Sequence, residues 1–270
     1  MMAYLKRYED YVKKNPKTYV LYCVLRFLVI LTLGYHLFMQ NYKYVATCLL
    51  VLILMLLPSI VGVHLHIVIP ALFLSVVYLF IFLAEILGDV NNLYSIIPSW
   101  DVILHTISGF FITAFGLSII YVAHHGEVDL SPMYMVVMSL CVSLAIGAAW
   151  EFFEVSGDLL MGNDSQKDTI VTTIHSDMLD GVSLGEVETI TDIDYTIIVM
   201  EEGETMVIED GYLDIGLYDT MEDMMCALIG SLVFVVWGYL DIKCNGISRN
   251  IHAKGMVNKL IFRSESFVEA

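Results

Sequence analysis

Three short stretches place paired ionisable side chains one helical turn apart. WDVILHTISGF carries Asp101 and His105 four residues apart, AAWEFFE carries Glu151 and Glu154 three apart, and YDTMEDMMCALIG carries Asp219 and Asp223 four apart. On a helix these spacings put both members of a pair on one face, about 5–6 Å from each other. Carboxylates with one imidazole and no thiolate suit a hard or borderline divalent cation such as Mg²⁺, Mn²⁺, Fe²⁺ or Zn²⁺. Such an ion polarises a phosphoryl oxygen or activates water. Without a metal, the same groups could carry protons. The sequence leaves one ion, two ions or none open.

The elements that must position these pairs are membrane spans. The 270 residues are 58% hydrophobic, with mean hydropathy +0.74 and a formal net charge of −17. Apolar runs recur at the length of about 18–20 residues needed to cross a hydrocarbon layer, and only helices satisfy their own backbone there. The reading is an all-α polytopic membrane protein, a six-helix transmembrane bundle with a small acidic extracytoplasmic insert containing a β-hairpin. Spans are expected at 19–39, 44–60, 69–88, 101–123, 132–154 and 219–240, the second shortened by Pro58 and Gly62. The divisions are a cytoplasmic interfacial segment (1–18), spans one to five (19–154), the acidic insert (155–218), the sixth span (219–240) and a basic cytoplasmic tail (241–270). Tyr4, Tyr8, Tyr11 and Val12 could form one face of an interfacial helix in the first segment. The first span reads as an anchor, since it follows a long polar segment and lacks a small-residue cleavage site.

Ten of the thirteen lysines and arginines flank the chain ends: Lys6, Arg7, Lys13, Lys14 and Lys17 before the first span, and Lys243, Arg249, Lys254, Lys259 and Arg263 after the last. The positive-inside rule then puts both termini in the cytoplasm. All three pairs fall within a turn or two of the outer boundary, and Glu85, ending the third span on that side, is a candidate to join them. Between Val155 and Tyr218 stand fifteen Asp/Glu against Lys167 alone, a difference of −14. Within this stretch YTIIVMEEGETMVIEDGYLDIG has two β-rich arms around Glu-Glu-Gly-Glu, a hairpin signal.

Simpler roles compete for some of these residues. Asp101 could cap its helix, and Asp219 with Glu222 makes a D-x-x-E variant of the capping box. His105 and Asp223 lie a turn deeper, where capping explains them poorly. Glu151 and Glu154 close an apolar run at an expected helix C-terminus, where the macrodipole disfavours anions, so a compensating cation is expected. The five cysteines are scattered, without a C-x-x-C pair, and read as small apolar residues. His64, His66, His124 and His125 sit in short inner loops as interfacial residues. Arg26 snorkels or pairs internally. Asn163, Gln166 and Lys167 follow the fifth span as loop residues within reach of lipid headgroups. The basic segments are short and juxtamembrane, which suits anionic lipid and excludes a nucleic-acid footprint.

The ordered set W-D-x-x-x-H-x-x-x-G-F (100–110), W-E-x-x-E (150–154) and D-T-x-x-D-M-x-C-A-L-I-G (219–230) resembles the YjdF-like family of uncharacterised bacterial membrane proteins, over roughly residues 70–165 and 212–240. The resemblance implies a multi-pass protein of the bacterial inner membrane and names no reaction. A fainter likeness is to VanZ-like proteins, associated with glycopeptide-antibiotic resistance. Glu154 stands where those often carry glutamine, and Ala227 where asparagine is usual. The 168–211 insert is an elaboration on the family core.

Three functions follow from these residues. The first is a metal-dependent envelope enzyme acting on a phosphate-containing lipid or envelope precursor, with Asp101, His105, Glu151, Glu154, Asp219 and Asp223 as ligands. The second is a non-catalytic membrane scaffold or sensor, its insert binding cations or a partner. The third is a proton- or cation-coupled transporter. Membrane lipids are the partners the sequence itself indicates.

Overall fold

The structure, a computed structural model, describes residues 15–126, 129–162, 164–179, 186–248 and 253–264. The expected interfacial face of Tyr4, Tyr8, Tyr11 and Val12 lies outside the described residues. Among those described, six helices are long and apolar enough to cross a membrane: Pro16–Phe38, Tyr42–His64, Ala71–Val90, Trp100–Ala123, Pro132–Leu160 and Leu217–Asn245. The expected all-α bundle with a small β insert is what the chain forms. It divides into two compact units, Met1–Gly147 with Cys226–Ala270, and Ala148–Met225.

Local chemistry sets the helix limits. α1 (Pro16–Phe38) opens on a proline, whose missing N–H costs nothing at a first turn. The second span is two helices, α2 (Tyr42–Leu54) and α3 (Leu57–His64), and together they reach spanning length despite Pro58. After the short strand β1 (Ile67–Val68), α4 (Ala71–Ile81) continues into a nine-residue π-helical segment, Phe82–Val90. A four-residue helix, α5 (Leu93–Ile96), leads to α6 (Trp100–Ala123). α7 (Pro132–Met161) starts with the Tyr134 amide donating to Ser131 Oγ at 3.2 Å, a serine cap just before a first-turn proline.

The larger unit is held by close helix approaches. A Cβ added at Gly109 of α6 would meet the Ala227 carbonyl oxygen at 2.0 Å, and one at Gly230 would meet that of Thr106 at 1.9 Å. α6 and the last span, α8 (Leu217–Asn245), therefore touch backbone to backbone, which only small residues allow. Ser143 of α7 and Ser231 of α8 both donate to the Gly109 carbonyl, at 3.3 and 3.1 Å, tying three helices at one point. Beside that point Phe110 stacks on Trp237, and Phe234 meets both rings edge-on. Outward faces carry exposed apolar side chains such as Phe27, Leu31 and Phe38, the surface a lipid bilayer covers.

Among its described residues the smaller unit holds three two-stranded antiparallel sheets. β2 (Thr169–Val171) pairs with β7 (Tyr212–Asp214), β3 (Ile174–Ser176) with β4 (Glu188–Ile190), and β5 (Tyr195–Val199) with β6 (Thr205–Glu209). The β5–β6 pair is the hairpin expected from sequence. Its loop closes with Met200 N–H donating to Glu204 O at 2.8 Å, and Gly203 supplies the positive φ of +83° the turn requires.

Candidate metal centre

The smaller unit brings three of the six expected residues together. One carboxylate oxygen from each of Glu151, Glu154 and Asp223 lies within 4.8 Å of the others, and Glu151 and Asp223 are only 5% and 4% exposed. Two unit charges 4.8 Å apart repel by about 3.5 kcal/mol at an effective dielectric of 20. Two buried carboxylates and a half-buried third at this spacing therefore call for a cation or shared protons between them. Oxygen ligands of one ion with bonds of about 2.0–2.4 Å span at most roughly 4–4.8 Å, so the donor set and its spacing fit a divalent metal.

α7 does not stop at Glu154; it runs to Met161, where Gly162, at φ +64°, lets its amide close on Asp158 O at 3.1 Å. The macrodipole acts only within the last turn, so it does not press on Glu151 or Glu154. Their burial and crowding carry the case for a cation instead.

Asp219 is occupied differently from its expected capping role. It accepts the Lys167 amide at 2.8 Å, while Asp214 accepts the Tyr218 amide at 2.9 Å at the start of α8. Gln166, 9% exposed, donates through Nε2 to Thr220 Oγ1. Asp158 accepts the Ser165 and Gln166 amides at 2.7 and 2.9 Å. The 164–168 loop is thus laced to α8 and to the end of α7 by contacts that residue types alone did not signal. Gln166 is spent on this lacing, and Lys167 pairs with Asp164 at 3.6 Å.

Asp101 and His105 belong to the larger unit. His105 Nε2 stands 3.4 Å from Asp101 Oδ1, as their spacing predicts. The helix cap position is Ser99, so Asp101 is the second helical residue. Glu85 sits on the π-helical segment beside Asp89, which accepts Thr47 Oγ1 at 3.4 Å.

Acid crowding in the insert has a pH consequence. Partial dehydration raises the Asp168 carboxyl above the usual range, and Asp164, Asp214 and Asp158 add to this, with Lys167 offsetting part. A raised folded-state value means the fold holds that proton more tightly than the unfolded chain, so stability falls as pH climbs above about 4. Asp168→Asn should slow amide exchange in β2 and β7 at pH 7 relative to wild type. The two proteins should converge at acid pH, and a difference that persists there would refute the assignment.

A six-span bundle with an acidic β-containing insert and a buried carboxylate cluster defines a multi-pass membrane protein. The chain belongs to the family described as predicted membrane protein (DUF2238), whose model matches residues 18–243. No curated protein and no solved structure matches it.

Proposed function

We propose that the protein works at the outer boundary of a bacterial cytoplasmic membrane, with both termini inside, and that Glu151, Glu154 and Asp223 hold a divalent cation there. One observation carries this reading: two almost fully buried carboxylates and a third within 4.8 Å. The orientation rests on the basic residues at the chain ends, nine of them apart from the buried Arg263. Asp101, His105 and Asp219 enter the proposal on the sequence argument of common depth alone. When bound, the ion would act as a Lewis acid toward a phosphoryl oxygen of a phosphate-bearing lipid or envelope precursor.

A second reading, a non-catalytic scaffold or sensor, is favoured by the insert. Eight acids and no base lie between Asp192 and Asp214, around an exposed hairpin face of Tyr195, Ile197, Val199 and Val207. Metal analysis of the detergent-purified protein decides the first reading. About one Mg²⁺, Mn²⁺, Fe²⁺ or Zn²⁺ per chain is expected, removable by chelator and restored on titration. No retained or titratable ion would sink it. Deleting 168–211 separates the two readings, since a scaffold loses its function while a metal enzyme keeps its ion.

A further inference from the structure

We infer that residues 253–264 form a re-entrant plug that closes the end of the bundle where α6 and α8 finish. Eight residues beyond α8's last described turn this short segment begins, and from Val257 to Arg263 every residue but Lys259 is buried. Val257, Asn258, Ile261 and Arg263 are fully buried, and Leu260 and Phe262 are 2% and 3% exposed. A basic juxtamembrane tail has no reason to bury such residues, whereas a segment built to fill a cavity does.

The docking is specific at every step. The Phe262 amide donates to Ser118 Oγ at 3.1 Å, and Ser118 is itself fully buried in α6. Ser118 lies five residues before the end of α6 at Ala123, so at 1.5 Å per residue the plug reaches about 7.5 Å inside the span. The Phe262 ring sits edge-on to Phe73 of α4 and Phe115 of α6, with centroids 4.8 and 5.6 Å away. The terminal strand β8 (Arg263–Ser264) pairs antiparallel with β1. The Val257 amide, opening a four-residue helix, α9 (Val257–Leu260), donates to Asp241 of α8 at 2.8 Å.

A buried guanidinium is expensive unless its donors are met. Arg263 donates to the carbonyls of Asn258 at 2.7 Å, Ile261 at 3.1 Å and Ser248 at 3.3 Å. Asn258 in turn accepts the Ser248 amide at 2.9 Å and donates to the Lys254 and Gly246 carbonyls at 2.7 and 3.0 Å. Arg263 thus works as an internal staple that folds the segment back, and it is no part of the surface charge. The functional consequence is closure at this end: a solute crossing the bundle here would first have to expel the plug.

Trypsin digestion of the full chain in nanodiscs tests the inference. Lys254 and Lys259 are exposed and Arg263 is not, so cleavage after Arg263, read by mass spectrometry as loss of Ser264–Ala270, should be at least about tenfold slower than after Lys254. Equal rates at the two sites would overturn the plug. A second measurement reads the sealing itself. A Ser118→Cys thiol should resist a membrane-impermeant maleimide beyond the background of the native cysteines, and adding Phe262→Asp should expose it. Ready labelling of Ser118→Cys in the otherwise unaltered chain would refute closure.

Discussion

Glu151→Gln and Asp223→Asn should each lower divalent-metal affinity on the order of a hundredfold, because altering even an outer-shell partner costs about 10–100-fold. Both substitutions keep the side chain's shape and remove one negative charge from a cluster in which Glu151 and Asp223 are 5% and 4% exposed. Stability should move the other way when metal is absent. In the metal-free protein the three carboxylates repel one another, so neutralising one relieves strain and the variants should unfold no earlier than metal-free wild type. Adding metal should then raise the wild-type melting temperature, and the variants should need about a hundredfold more metal for the same rise. This opposite pair of signs separates loss of a site from loss of the fold. Isothermal titration with Mn²⁺ and Zn²⁺, beside thermal unfolding with and without chelator, reads both. Wild-type affinity in either variant would remove that residue from the site.

Gly230→Ala and Gly109→Ala should be the most damaging single-methyl changes in the bundle. Ordinarily alanine favours a helix over glycine by about 1 kcal/mol. Here each new Cβ would sit 1.9 or 2.0 Å from a carbonyl oxygen of the facing helix, and a backbone atom cannot rotate away as a side-chain tip can. Overpacking costs about 1–3 kcal/mol and sometimes more, so the sign of the ordinary helix preference is reversed. The shift would also pull Gly109's carbonyl from Ser143 and Ser231. Gly34→Ala and Gly147→Ala are the matched controls, since an added Cβ there has nothing within 4 Å. Thermal unfolding in one detergent should place the first two variants several degrees below wild type and the controls at or above it. Equal behaviour of all four would contradict the close approach.

The spans were legible because hydropathy over about twenty residues reports a one-dimensional property, and all six appear as helices. The β5–β6 hairpin was legible for the same local reason, with two β-rich arms and a glycine turn between them. The Glu151/Glu154 and Asp101/His105 pairings followed from helical spacing. Asp223 joining the glutamates rested on an estimate of common depth, and burial supplied what spacing could not. The full length of α7 was not legible because Ser156, Gly157 and Asp158 after Glu154 are turn-forming types, yet the helix runs through them to Met161 before Gly162 ends it. Asp214 as the acceptor of α8's Tyr218 amide was hidden by the better-looking Asp219. The plug was invisible for a different reason: VNKLIFR is too short and too charged to register as a core segment, and only tertiary contacts reveal that Arg263 faces inward.

The π-helical segment Phe82–Val90 alters how the third span presents its faces. Bonding to the fifth residue instead of the fourth widens each turn to more than four residues. Side chains four apart then stay in line along the axis, where in an α-helix they would drift steadily around it. Phe82, Ile86 and Val90, all buried, make one straight apolar seam against the bundle. Glu85 and Asp89 share a second bearing for the same reason, parallel to that seam. The third span thus ends as a flat-sided prism rather than a screw, keeping its oily edge and its acidic edge apart over two full turns.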